Sequence, residues 1–287
     1  MKKIILLARV FAVGLAGTAS AADLAVEPVV YTPAFTWTGC YLGINGGWIG
    51  SDESYETSLG SLVPGAVPFG PNATQADVDL LRRSFSSDES GETAGGQFGC
   101  QWQLGAVVLG GEWDWNWSGL EENNNANFGE VPLVSNPVVH WPARVEHHHK
   151  QLDWFMTARA RLGWTAWDRL LIYATGGLAV GAYDAFTNVP SFNDGIPGLV
   201  YNGAYREKRV GYIAGGGFEW AFANNWTAKA EFLYLDFGSF DYISPVSDLN
   251  EGRNTAWRTH VDAQEYVVRV GLNYLFHLGG LPVVARY

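Results

Sequence analysis

Charge is confined to one side of every strand that can be drawn through this chain. In eight segments the residues alternate at period two, with large apolar side chains on one parity and small or polar ones on the other. The first puts Cys40, Leu42, Ile44 and Trp48 opposite Gly39, Tyr41, Gly43, Asn45 and Gly47. The second puts Phe98, Cys100, Trp102 and Leu104 opposite Gln97, Gln101 and Gln103, and the third Trp113, Trp115 and Trp117 opposite Glu112, Asp114 and Asn116. The fourth sets Leu152, Trp154, Met156 and Leu162 against Asp153, Phe155, Arg159 and Arg161; the fifth sets Ile172, Leu178 and Val180 against Tyr173 and Thr175. In the last three, Phe218 and Trp220 oppose Glu219, Phe232 and Tyr234 oppose Lys229 and Glu231, and Val268, Val270 and Tyr274 oppose Glu265 and Arg269. Over about fifty apolar-face positions there is no Asp, Glu, Lys or Arg, where a 16% charged composition would place roughly eight; each would cost about 2 to 4 kcal/mol against lipid at mid-depth. A soluble sandwich turns its charged face outward, so charge on the enclosed side predicts an all-β, eight-stranded antiparallel transmembrane barrel.

The connections agree with that reading. Three are short, near Gly105, Trp167 and Asn224, and four are long, over residues 49–90, 119–149, 184–208 and 238–260. An even strand count with three short periplasmic turns and four long external loops is the outer-membrane pattern. Met1, Lys2 and Lys3, the apolar run to Leu15 and the small residues ending at Ala21 and Ala22 form a secretory signal peptide, predicted to occupy residues 1–21. Residues 22–36, with Pro28 and Pro33, read as a periplasmic lead-in, and residues 37–287 as the barrel. No other apolar run approaches the roughly 18 residues of a spanning helix.

The formal net charge is −11, and loss of Lys2, Lys3 and Arg9 makes the mature chain still more acidic, which argues against a nucleic-acid partner. Two cysteines cannot build a disulfide framework. Pairing Trp48 near Glu92, however, places Cys40 opposite Cys100, so one disulfide between them and two free lipid-facing thiols are both open.

The segments WTGCYLGINGGW (37–48), RARLGW (159–164), YATGGLAVG (173–181), AKAEFLYLDFG (228–238) and VRVGLNYLF (268–276) resemble the small porin-like outer-membrane proteins of alphaproteobacteria, within the OmpA-like and opacity-type barrel superfamily. The resemblance spans most of the mature chain and is weakest in the long loops. It implies an outer-membrane location, with outer-membrane lipid and lipopolysaccharide as surroundings. Function is less defined, since members are described as surface proteins, haemin binders and pore-like proteins; a homo-oligomer is also open. Arg269, Gly271, Tyr274 and Phe276 resemble the signal read by the barrel-assembly machinery, with Tyr287 an alternative terminus for it.

Candidate chemistry is sparse. His147, His148 and His149, with His140 nearby, are candidate ligands for haem iron or a divalent metal, but three consecutive side chains rarely meet at one ion, and a metal-free loop is the simpler reading. No Ser, His and acid grouping suggests a hydrolase, and no cofactor is implied. The enclosed face carries Glu112, Arg159, Arg161, Glu219, Lys229, Glu231 and Arg269. Their mixed signs predict a salt-bridged plug completed by Tyr173, Gln97, Gln101 and Gln103. The alternatives are a narrow wet pore lined by the same charges, and a binder that works through its loops.

Overall fold

The computed structural model describes residues 35–61, 74–137, 140–141, 143–193, 196–246 and 255–277. The expected signal peptide, most of the lead-in, and the tail ending at Tyr287 lie outside the described residues. Among the described residues, twelve strands and one short helix follow in chain order. They are β1 (Gly39–Ser51), β2 (Glu53–Ser61), α1 (Gln75–Asp79), β3 (Arg83–Ser87), β4 (Ser90–Leu104), β5 (Val107–Phe128), β6 (Val131–Pro132), β7 (His140–Trp141), β8 (Ala143–Trp167), β9 (Leu170–Asn193), β10 (Ile196–Ala221), β11 (Trp226–Pro245) and β12 (Thr255–Phe276).

Eight of these, β1, β4, β5, β8, β9, β10, β11 and β12, pair antiparallel in sequence order, and β12 returns to pair with β1. The sheet therefore closes on itself, which removes the edges that lipid could not hydrogen-bond. β2 continues beside β12 beyond the end of β1, and β3 pairs with β2. The short turns fall at Gly105, whose positive φ of 65° suits a residue without Cβ, between β8 and β9, and between β10 and β11. Cys40 and Cys100 stand directly opposite across β1 and β4 and are joined by a disulfide.

Around the lower part of this ring the outward side chains form an apolar belt. Ile44 is 67% exposed, Phe98 49%, Leu178 63% and Val270 65%. Aromatic rows bound it, with Trp48, Trp117, Tyr212 and Tyr266 above and Trp102, Trp164, Trp220 and Phe276 below.

Two expectations require correction. The long connections expected as loops are mostly strand: β5 runs on to Phe128, β8 starts at Ala143, β9 and β10 extend to Asn193 and from Ile196, and β11 and β12 reach Pro245 and Thr255. The barrel wall thus continues past the belt as a second storey. The frame expected for the fourth segment also fails at its upper end. A bulge between Leu152 and Trp154 shifts the parity of β8, so that Leu152 is fully buried inside and Asp153 lies outside. A similar shift between Asp236 and Ser239 in β11, at Gly238 with φ of 70°, reverses that strand as well.

Candidate functional site in the barrel lumen

The inward parity of the eight strands fills the lumen with side chains in layers, which can be read up β9. At the periplasmic end Leu171 and Tyr173 join Trp37, Val108 and Ala221 in an apolar floor. Above it lies a charged layer, then an apolar band of Ile49, Leu120, Leu152, Phe155, Ala179, Ile213, Leu233, Leu235 and Val267. In the second storey a smaller polar group is followed by a cap of Leu59, Leu81, Val189, Tyr201, Val246 and Trp257.

The charged layer contains four carboxylates and four cations, all essentially buried: Glu112, Asp114, Glu219 and Glu231 with Arg159, Arg161, Lys229 and Arg269. Glu112 is one hub. It pairs with Arg159 directly across β5 and β8, receives Lys229 at 2.8 and 2.9 Å, and accepts the Tyr41 hydroxyl at 2.5 Å. Glu231 is the other, with Arg269 Nε at 2.8 Å, Lys229 Nζ at 3.1 Å, Arg159 Nη1 at 3.4 Å and the Tyr173 hydroxyl at 2.9 Å. Asp114 bridges Arg159 at 2.8 Å and Arg269 at 2.9 Å. Glu219 accepts from Arg161 at 2.6 Å, from Asn273 at 2.9 Å and from Thr227 at 2.5 Å. Each carboxylate has at least two partners, the condition under which charges are tolerated away from water.

Glycine makes part of this possible. A Cβ on Gly99 would lie 2.3 Å from the Tyr41 hydroxyl, so only glycine there lets Tyr41 reach Glu112.

All seven charged residues singled out in the sequence lie in this one layer. Asp114 and Tyr41 belong to it as well and were missed as members; both sit at inward parity, and Asp114 is two residues from Glu112 on the same strand. Gln97 donates to Asn273 at 2.6 Å and accepts from Asn45 at 2.8 Å, and Gln101 accepts from Arg161 at 3.4 Å. Gln103 instead sits at the periplasmic end, accepting the Trp37 backbone N–H at 2.9 Å. Of the residues expected to form the assembly signal, Arg269 and Gly271 point inward, while the Tyr274 and Phe276 rings meet edge to face at 4.9 Å on the outer rim.

The histidines do not form one cluster. His148 points inward, bonded to Thr187 at 3.0 Å and to Glu146 at 3.4 Å; His147 and His149 point outward; and His140 lies on β7 beside Glu130 at 3.4 Å. Alternation on a strand is the reason the triplet cannot converge.

The second-storey polar group is smaller. Glu122 accepts from Ser51 and from Tyr55, the latter at 2.5 Å. Glu146 binds Arg144 Nε at 2.8 Å and Thr57 at 3.2 Å, and the Arg144 guanidinium lies 4.5 Å from the Phe128 ring and 4.8 Å from Trp257. Above it, Asp77 of α1 accepts the backbone N–H groups of Thr74 at 2.7 Å and Ser135 at 3.0 Å. Burial pushes the Asp77 carboxyl up, but these bonds outweigh it and hold it well below the usual carboxylate range.

A closed ring with an apolar belt and charges inside defines an integral outer-membrane barrel. The chain belongs to the family of outer membrane protein β-barrel domains, whose model matches residues 10–276. It is 32% identical over 282 residues to the 31 kDa outer-membrane immunogenic protein of Brucella melitensis, covering 96% of this chain and 100% of the relative. It is 27% identical over 170 residues to the 22 kDa outer membrane protein of Rhizobium leguminosarum, covering 58% and 62%. The solved outer membrane protein OprG of Pseudomonas aeruginosa is similar at 12% identity and a TM-score of 0.38, covering 83% of this chain and 97% of that one. The protein therefore resides in the bacterial outer membrane, with membrane lipid and lipopolysaccharide around its belt.

Proposed function

We propose that the protein is a structural and surface component of the cell envelope whose lumen is sealed against bulk solute. The observation that carries this reading is the balanced charged layer, four carboxylates against four cations, bonded side chain to side chain across the barrel. Charges lining a wet pore are solvated and have no need of such matching; charges that fill an eight-stranded lumen must find partners. The apolar floor and band on either side of the layer support the same reading, because neither offers water a polar path. Liposome swelling tests it: vesicles holding the refolded protein should resist entry of small sugars as protein-free vesicles do, and rapid swelling would make the protein a channel.

The second storey is the part presented to the outside, a placement supported by the word immunogenic in the relative's name. The role is architectural and not catalytic. The C-terminal strand serves as the recognition element for the barrel-assembly machinery, with Tyr274 and Phe276 available on the rim. Phe276→Ala should lower the yield of folded barrel in the cell while leaving refolding in detergent intact.

A further inference from the structure

We propose that His147 and His149 form an open, two-histidine site for a borderline divalent transition-metal ion, Cu(II) or Zn(II), on the outer face of the second storey. As alternate residues of β8 they share one face, while the intervening His148 is committed to the interior. On the adjacent β5, Asn125 stands opposite His147 and Asn123 opposite His149. Each imidazole Nδ1 meets the facing amide oxygen, at 2.5 Å for Asn125 and 3.0 Å for Asn123.

These contacts favour one tautomer. The Asn123 amide nitrogen donates to Glu121 at 3.0 Å, which orients its oxygen toward His149. An amide oxygen only accepts, so His149 Nδ1 carries the proton and its Nε2 keeps its lone pair, and the Asn125 oxygen facing His147 Nδ1 favours the same tautomer there. Neither Nε2 has a hydrogen bond among the described residues. A histidine held through Nδ1–H by an oxygen acceptor, with a bare Nε2, has the arrangement that metal-binding histidines adopt.

Two residues along a strand separate the Cα atoms by roughly 6.6 to 6.8 Å, a span two imidazoles can close onto one ion at about 2.0 to 2.1 Å each. Neutral nitrogen ligands favour copper and zinc over calcium and magnesium, which want oxygen. Two protein ligands leave the remaining positions to water or to a group arriving from the medium. Asn123 and Asn125 are positioning residues.

The test is titration of the full-length, detergent-folded protein with Cu(II), read by electron paramagnetic resonance. The wild type should take one equivalent with coupling to two imidazole nitrogens. His147→Asn or His149→Asn should weaken binding by about tenfold or more, and Asn123→Ala by a smaller factor in the same direction. His148→Asn and His140→Asn should leave it unchanged. Because His147 and His149 face solvent, their variants keep the heat-dependent gel mobility of the folded barrel. Absence of a two-nitrogen signal in the wild type would overturn the proposal, as would its survival in the double variant His147→Asn/His149→Asn.

Discussion

The two storeys of this barrel share a wall but present opposite outer faces. Within the belt the outside is apolar and the inside charged: Val268 and Val270 face lipid while Arg269 between them joins the lumen network. Above the belt the outside is largely polar, with Glu121, Asn123 and Asn125 on β5, and the inside gathers an apolar cap of Leu59, Tyr201 and Trp257 over the paired Glu122, Arg144 and Glu146. Solvent is the cause. Lipid takes no charge, so the lower strands send charge inward and must balance it there; water takes charge freely, so the upper strands can carry it on both faces and bury an apolar cap inside.

The largest consequence of this contrast should appear on removing one member of the lower network. Arg269→Ala leaves Asp114 and Glu231 short of a cation and should cost about 3 to 5 kcal/mol, read as a lower urea midpoint for unfolding from detergent. A loss under 1 kcal/mol would mean that the layer is hydrated and the contrast between storeys is wrong. Next comes the apolar band. Leu152→Ala should cost about 2 to 5 kcal/mol if Leu152 is inside, as the bulge in β8 requires, and almost nothing if it faces outward.

That residue also marks where the sequence stopped being legible. In the belt, hydrophobic sign and parity coincide, so the faces of Leu42, Trp113 or Val270 could be read directly. At Leu152 they part, because the bulge adds one residue and the strand leaves lipid there. Beyond that level the alternation persists, with Tyr183, Val189, Tyr201 and Val261 inward on other strands but Arg144, Glu146, His148 and Lys150 inward on β8, and a search for apolar outward faces reads these stretches as loop. The charged layer was legible for the same reason as the belt. Asp114 and Tyr41 were not assigned to it, since parity shows which way a side chain points but not which of its neighbours it reaches.

Smaller effects sharpen the contrast at the top. Asp77 has its carboxyl held low by the N–H groups it accepts, so its contribution is present above the unfolded carboxylate value near 3.9 and is lost as pH falls toward the folded one. Amides of α1 should therefore be protected from hydrogen exchange at neutral pH and lose that protection in acid below about 4 or in Asp77→Asn, with the lower barrel unaffected. The smallest change is expected from Arg206→Ala. Its pair with Asp184 lies on the water-facing wall with the guanidinium exposed, and urea midpoints should move by less than about 1 kcal/mol in free energy.

The sealed lumen is most directly tested by single-channel recording in planar bilayers. The wild type should show no sustained open level, and Arg159→Ala or Arg269→Ala, each of which removes a cation from the charged layer, should be the variants in which openings begin. A steady, large unit conductance from the wild type would contradict the account.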